Sequence, residues 1–125
     1  MVKTLDIVSR VARKWTKEAN EVTGMIQEGD IFYSSWGYDQ TNISYYQVVK
    51  VGAKTVAIRK VAQKVVREVR GAEYVVPVKG RFEGTAKRKT PKLYRGEPYL
   101  NINSYASAYP WNGKPKSQTA AGWGH

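Results

Sequence analysis

Between Ser34 and Gln47 the sequence reads SSWGYDQTNISYYQ, which sets Trp36, Tyr38, Tyr45 and Tyr46 among Asp39, Gln40, Thr41 and Asn42. Exposed Trp and Tyr rings stack on nucleobases or anchor a protein interface, and amide and hydroxyl side chains add directional hydrogen bonds. Trp36, Tyr38, Asp39, Gln40, Thr41, Asn42 and Tyr45 therefore form a candidate contact loop. A purely structural reading stands beside it. Gly37 and Asn42 are turn residues, and Asp39, Thr41 and Asn42 can bond to neighbouring backbone, so the stretch could serve only to join two strands. That reading accounts for the polar residues but not for the crowding of four rings.

A second cluster is electrostatic. The chain of 125 residues carries 21 Lys and Arg against 10 Asp and Glu, a net charge of +11. Thirteen of the basic residues and only three acids (Glu68, Glu73, Glu83) fall between Lys54 and Arg95, so one third of the chain holds almost the whole imbalance. A field concentrated in this way attracts polyanions, of which nucleic acid is the most abundant in a cell. Lys54, Arg59, Lys60, Lys64, Arg67, Arg70, Arg81, Lys87, Arg88, Lys89, Lys92 and Arg95 are the candidate phosphate contacts. The competing reading is a solvated surface that keeps a small protein soluble; the concentration of charge favours the polyanion.

Catalytic readings lack parts. The only histidine is His125 and there is no cysteine, so neither a Ser-His-Asp arrangement nor a thiolate or histidine metal cage can be built within one chain. Asp30, Asp39 and Glu97 could in principle hold a divalent metal or act as an acid/base pair, yet no two of them share a motif spacing. Gly80-Arg81-Phe82-Glu83-Gly84-Thr85 lacks the Gly-Lys-Ser/Thr ending of a phosphate loop. No cofactor and no enzymatic activity are expected.

The elements that must position these residues follow from periodicity. Val8, Val11, Ala12, Trp15, Ala19, Val22 and Ile26 recur at steps of three and four, which predicts an amphipathic helix near residues 5 to 23, capped by Thr4 and ended by Gly24. Its apolar stripe is read first as packing on the domain's own sheet and second as a partner face. After Gly29-Asp30 the period becomes two. Ile31–Tyr33, Tyr45–Val51, Lys54–Val61, Tyr74–Val78, Lys92–Arg95 and Tyr99–Ile102 read as strands, with tight reversals at Gly52-Ala53 and Gly96-Glu97. Gly80, Gly84 and Lys87 to Pro91 read as exposed loop, and Ser104 to Tyr109 as one helical turn stopped by Pro110. Asn101, Asn103 and Tyr105 could extend the contact loop, while Tyr109-Pro110-Trp111 suits closing the end of a barrel.

No apolar run approaches the roughly 20 residues needed to cross a bilayer, and Met1 to Asp6 lacks the apolar region of a signal peptide; a cytoplasmic location in a bacterial host, with no membrane partner, is the expectation.

Gly29-Asp30-Ile31-Phe32, Ser35 to Asn42, Tyr46-Gln47-Val48-Val49, Asn101 to Tyr105 and Pro110-Trp111-Asn112-Gly113-Lys114-Pro115 resemble a family of short proteins found in bacteriophages and other mobile elements. The resemblance spans about residues 29 to 115 and implies a genomic setting without a catalytic assignment. Accessory proteins of that origin bind nucleic acid or inhibit host defence systems, including RNA-guided nucleases.

The expected fold class is α+β: an N-terminal helix (1–28) packed beside a small, strongly bent antiparallel sheet or SH3-like barrel (29–111), with a flexible tail (112–125). The expected function is non-enzymatic binding of DNA or RNA by an accessory protein of a phage or mobile element. The alternative is an inhibitor of a host defence nuclease or ribonucleoprotein, of the anti-CRISPR kind, and a small metal-dependent hydrolase is the third reading.

Overall fold

The computed structural model describes residues 22–37 and 40–120. Nine strands follow one another: β1 (Ile31–Trp36), β2 (Asn42–Val51), β3 (Val56–Val69), β4 (Ala72–Phe82), β5 (Lys87–Lys89), β6 (Lys92–Tyr94), β7 (Glu97–Asn103), β8 (Ala106–Pro110) and β9 (Lys116–Thr119). They form one strongly curled antiparallel half-barrel in the order β6-β7-β8-β1-β2-β3-β4-β9, and β5 pairs with β3 on the edge that β4 occupies further along. Among the described residues the protein is thus mostly β, and the strongly bent antiparallel sheet of the expected α+β fold is present. The helix expected over residues 5 to 23 lies outside them except at its end, where one short turn at Val22 to Gly24 docks through Thr23 Oγ1 on the Ala53 carbonyl (2.9 Å).

The curl has a local cause. The registers of β2 with β3, β3 with β4 and β7 with β8 each shift once or twice, between Val48 and Lys50, Val61 and Gln63, Val65 and Arg67, and Asn101 and Asn103. Each such bulge bends its strand and adds right-handed twist. Bent in this way, the sheet comes back on itself: Thr119 N–H donates to the Thr41 carbonyl (2.8 Å), and Lys89 Nζ donates to the Ile102 carbonyl (3.0 Å).

Both faces of β1 and β2 are consequently covered. On one face Phe32, Val48, Val56, Ile58, Leu100, Ala108 and Ile26 make a core flanked by Tyr46, Val51 and Ile102. On the other, Ile31, Ile43, Tyr45, Val61 and Val75 make a second core, with Tyr33, Phe82 and Trp111 against it. Since neighbouring residues of a strand point to opposite faces, the run Ile43, Ser44, Tyr45 is buried without interruption, which a one-sided sheet would not allow. Complete burial of a Val, Ile, Leu or Phe side chain stabilises by about 1.5 to 3 kcal/mol, so the two cores dominate the stability.

Three expectations are corrected here. Ser104 to Tyr109 is no helical turn; Ala106 to Pro110 pair as β8, because Ala106 and Ala108 alternate inward against Leu100 and Phe32. Lys87 to Lys89 form β5 rather than loop, and Gly80 lies within β4. Lys116 to Thr119, placed in a flexible tail, are the strand β9, whose register with β4 sets Lys116 opposite Val75 and Thr119 opposite Ala72. The reversals at Gly52-Ala53 and Gly96 occur as expected.

Candidate functional site

The sequence separates Trp36, Lys60 and Tyr105 by tens of residues, and the register of the sheet brings them to one face. Phe32 pairs with Tyr46 and Ser34 with Ser44, while Tyr46 pairs with Lys60. Directly paired residues of antiparallel strands share a face, so Ser34, Ser44, Tyr46 and Lys60 all lie on the side of the first core. Lys87 and Lys89 join them, since they pair with Ile58 and Val56.

Two adjoining cavities run along this face, and a third meets them at the β7–β8 turn, where Ser35, Asn101, Ser107 and Tyr109 of the opposite face line it. The first, of about 270 Å³, has Tyr46, Ile58 and Ile102 on its apolar side and Lys60, Lys87 and Lys89 around it, with one carboxylate, Glu83. The second, of about 170 Å³, shares Tyr46, Lys60 and Ile102 with the first and adds Ser34, Trp36, Ser44, Asn103, Tyr105 and Ala106. The third, of about 530 Å³, shares Asn103, Tyr105 and Ala106 with the second and is lined otherwise by Ser35, Asn101, Ser104, Ser107 and Tyr109. The result is a groove that is cationic at one end and aromatic and amide-rich at the other.

Several groups are held in place. Trp36 Nε1 donates to Ser44 Oγ (2.9 Å), which fixes an indole that is 41% exposed. Burial raises the Tyr46 hydroxyl above the usual tyrosine range, and a hydrogen bond with Ser44 offsets this in part. Asn103 Oδ1 accepts from the Tyr105 amide (3.1 Å), which shapes the turn that displays Tyr105. The β1–β2 turn begins at Gly37, where φ is +130° and an added Cβ would collide with the Gln40 carbonyl.

The candidate contact loop is divided by the structure. Trp36 reaches the groove; Thr41 is exposed, and Gln40 and Asn42 are half-buried at the turn. Tyr38 and Asp39 lie outside the described residues. Tyr45 is 1% exposed and donates its hydroxyl to the Val75 carbonyl (2.7 Å), so it belongs to the second core rather than to a contact surface. The reason is the two-sided burial of β2, which places both Tyr45 and Tyr46 against packed side chains.

The twelve candidate cations are also divided. Lys60, Lys87 and Lys89 line the groove, although Lys89 is engaged by the Ile102 carbonyl. Arg59 donates to the Gly84 carbonyl (2.7 Å) and stacks on Phe82 (4.3 Å), a structural use. Lys64, Arg67 and Arg70 follow the exposed far half of the β3–β4 hairpin, with Arg67 over Tyr74 (4.4 Å). Lys92 and Arg95 sit on the β6–β7 hairpin, and Lys54, Arg81 and Arg88 are exposed elsewhere.

Two features carried little signal in the sequence. Ser34 is the unremarkable first residue of the aromatic stretch, yet it lies buried in the middle of the groove. Trp111 packs edge-on against Tyr45 (5.8 Å between centroids), and Tyr109 lies between Tyr33 and Tyr99 (6.3 and 6.0 Å). Of the carboxylates, Asp30 accepts the Gln27 amide (2.9 Å) as a turn residue does, and among the described residues no three His, Cys, Asp or Glu gather where a metal could bind. Nor is any described helix long and apolar enough to cross a membrane.

No protein-family model, curated protein or solved structure matches the chain.

Proposed function

We propose that this protein binds nucleic acid without catalysis, as an accessory protein of a phage or mobile element, and that the polymer runs along the groove beside β1, β2 and β5. The observation that carries the reading is the continuity of the groove: Lys60 lies between the cationic cavity and the cavity that holds Trp36 and Tyr105. Phosphates suit the first and bases the second. The mobile-element setting rests on the sequence resemblance alone. The finer description of the curled sheet as an SH3-like barrel is likewise a proposal, supported by the bulges that bend β2 and β3 around the first core.

Titration of duplex DNA, single-stranded DNA and RNA at two salt concentrations tests the reading. Affinity should fall with salt, and Lys60→Glu with Lys87→Glu should weaken binding to all sequences alike and reduce the salt slope by about 2. No measurable binding of any polymer at low salt would remove it.

A second reading has an observation of its own. Val65, Val66 and Val69 are exposed on β3, and among the described residues no strand pairs with this part of β3 on the side away from β4. An open, valine-bearing edge suits pairing with another protein, as an inhibitor of a host defence nuclease would require. Co-purification with such a nuclease, without any shift of free DNA or RNA, would favour it.

A further inference from the structure

We infer that the cavity over Ser34 receives one unstacked base, so that the polymer in the groove is a single strand rather than a duplex. This deepens the nucleic-acid reading and rests on it. Ser34 is 0% exposed, and its hydroxyl is a buried side-chain polar atom without a hydrogen-bond partner. Its cross-strand neighbour Ser44 accepts from the Trp36 indole and bonds to the Tyr46 hydroxyl, and makes no hydrogen bond to Ser34. An orphaned buried hydroxyl is costly unless something else meets it, and such exceptions call for an explanation. Ser34 is one of the residues that line a cavity.

The chemistry of that cavity suits a heterocycle. Its volume of about 170 Å³ equals that of roughly six waters of liquid at ~30 Å³ each. Trp36, Tyr46 and Tyr105 supply rings, and Ser34 can donate or accept. Asn103 keeps its amide N–H₂ for a base edge, because the Tyr105 backbone uses its Oδ1. The one cation, Lys60, lines the cavity where it adjoins the basic one, which is where the phosphate beside an inserted base would lie. A free inorganic anion would gain nothing from three aromatic rings. A duplex hides the faces of its bases, whereas an unpaired strand can turn one out and stack it on protein rings.

The test compares three probes on the full chain by fluorescence anisotropy: a labelled decanucleotide, an abasic strand of equal length and charge, and the duplex of the decanucleotide. The base-bearing single strand should bind about tenfold more tightly than the abasic strand, and more tightly than the duplex. Ser34→Ala and Tyr105→Ala should each reduce that ratio several-fold. Ser34→Ala removes an unpartnered hydroxyl and should not lower the melting temperature, and Tyr105 is 79% exposed, so neither loss can be ascribed to unfolding. Equal affinity for abasic and base-bearing strands, or a preference for the duplex, overturns the base pocket while leaving the nucleic-acid reading in place. Failure to bind any of the three overturns both. Unchanged ratios in both variants, with a parent that does prefer bases, would move the base-binding site away from Ser34 and so overturn the inference.

Discussion

The Tyr45 hydroxyl donates to the Val75 carbonyl at 2.7 Å and ties β2 to β4 through the second core. Burial pushes this hydroxyl from 10.0 up to about 12, with the Lys116 amide offsetting part of the rise. The folded state therefore holds the proton more tightly than the unfolded chain. Its stabilising contribution is complete below pH 10 and disappears as the pH rises towards 12. The melting temperature should fall over this window by more in the parent than in Tyr45→Phe, which cannot ionise. At pH 7 Tyr45→Phe should cost about 1 to 3 kcal/mol by leaving a buried carbonyl short of a donor. Thermal melts of both proteins from pH 8 to 12 check the sign.

Strand β9 should matter to stability. Gln118 Oε1 accepts the Ile43 amide (3.0 Å), its Nε2 donates to Glu73 Oε1 (3.0 Å), and Thr119 bonds to Thr41 through both backbone and hydroxyl. Gln118→Ala should cost about 1 to 3 kcal/mol in urea unfolding, through the Ile43 amide it leaves unpaired. Ending the chain after Pro115 should cost more. A truncation with unchanged urea midpoint would mean that this segment is a dispensable tail.

Two hairpins turn on Arg-Gly pairs with both residues at positive φ: Arg70 (43°) with Gly71 (83°), and Arg95 (53°) with Gly96 (81°). Type I′ turns of this kind favour Asn or Gly at the first position, and an ordinary side chain there is strained. Arg70→Asn and Arg95→Asn should each stabilise by about 0.5 to 1 kcal/mol. If Arg70 also contacts phosphate, its variant should bind nucleic acid more weakly while melting higher, a combination that separates the two roles.

Gly37 sets the direction in which the chain leaves Trp36. With φ at +130° and the Gln40 carbonyl in the way of a Cβ, Gly37→Ala should cost about 1 to 3 kcal/mol. It should also loosen the Trp36–Ser44 bond, so oligonucleotide affinity should drop by more than the folded fraction does. Calorimetry and anisotropy on the same sample distinguish the two effects.

Local chemistry alone determined the strands rich in β-branched and aromatic residues, at Ile31 to Tyr33, Tyr45 to Val51 and Val56 to Val61, together with the Gly52 and Gly96 reversals. Side-chain alternation and turn residues act within a few positions, so these are legible in the order of residues. Lys87 to Lys89 and Lys116 to Thr119 carry no large apolar residue; they are strands because β3 and β4 offer them an edge, an interaction between distant segments. Tyr45 looked like a contact and is core for a related reason: periodicity tells which residues share a face, whereas only the curl of the sheet decides that both faces are covered. The concentration of charge between Lys54 and Arg95 was plain from the sequence, but its division among groove, hairpin arm and turns was not. That division, and the meeting of Ser34, Trp36, Lys60 and Tyr105, depends on cross-strand register, which bulges shift one residue at a time and which exists only once the strands have paired.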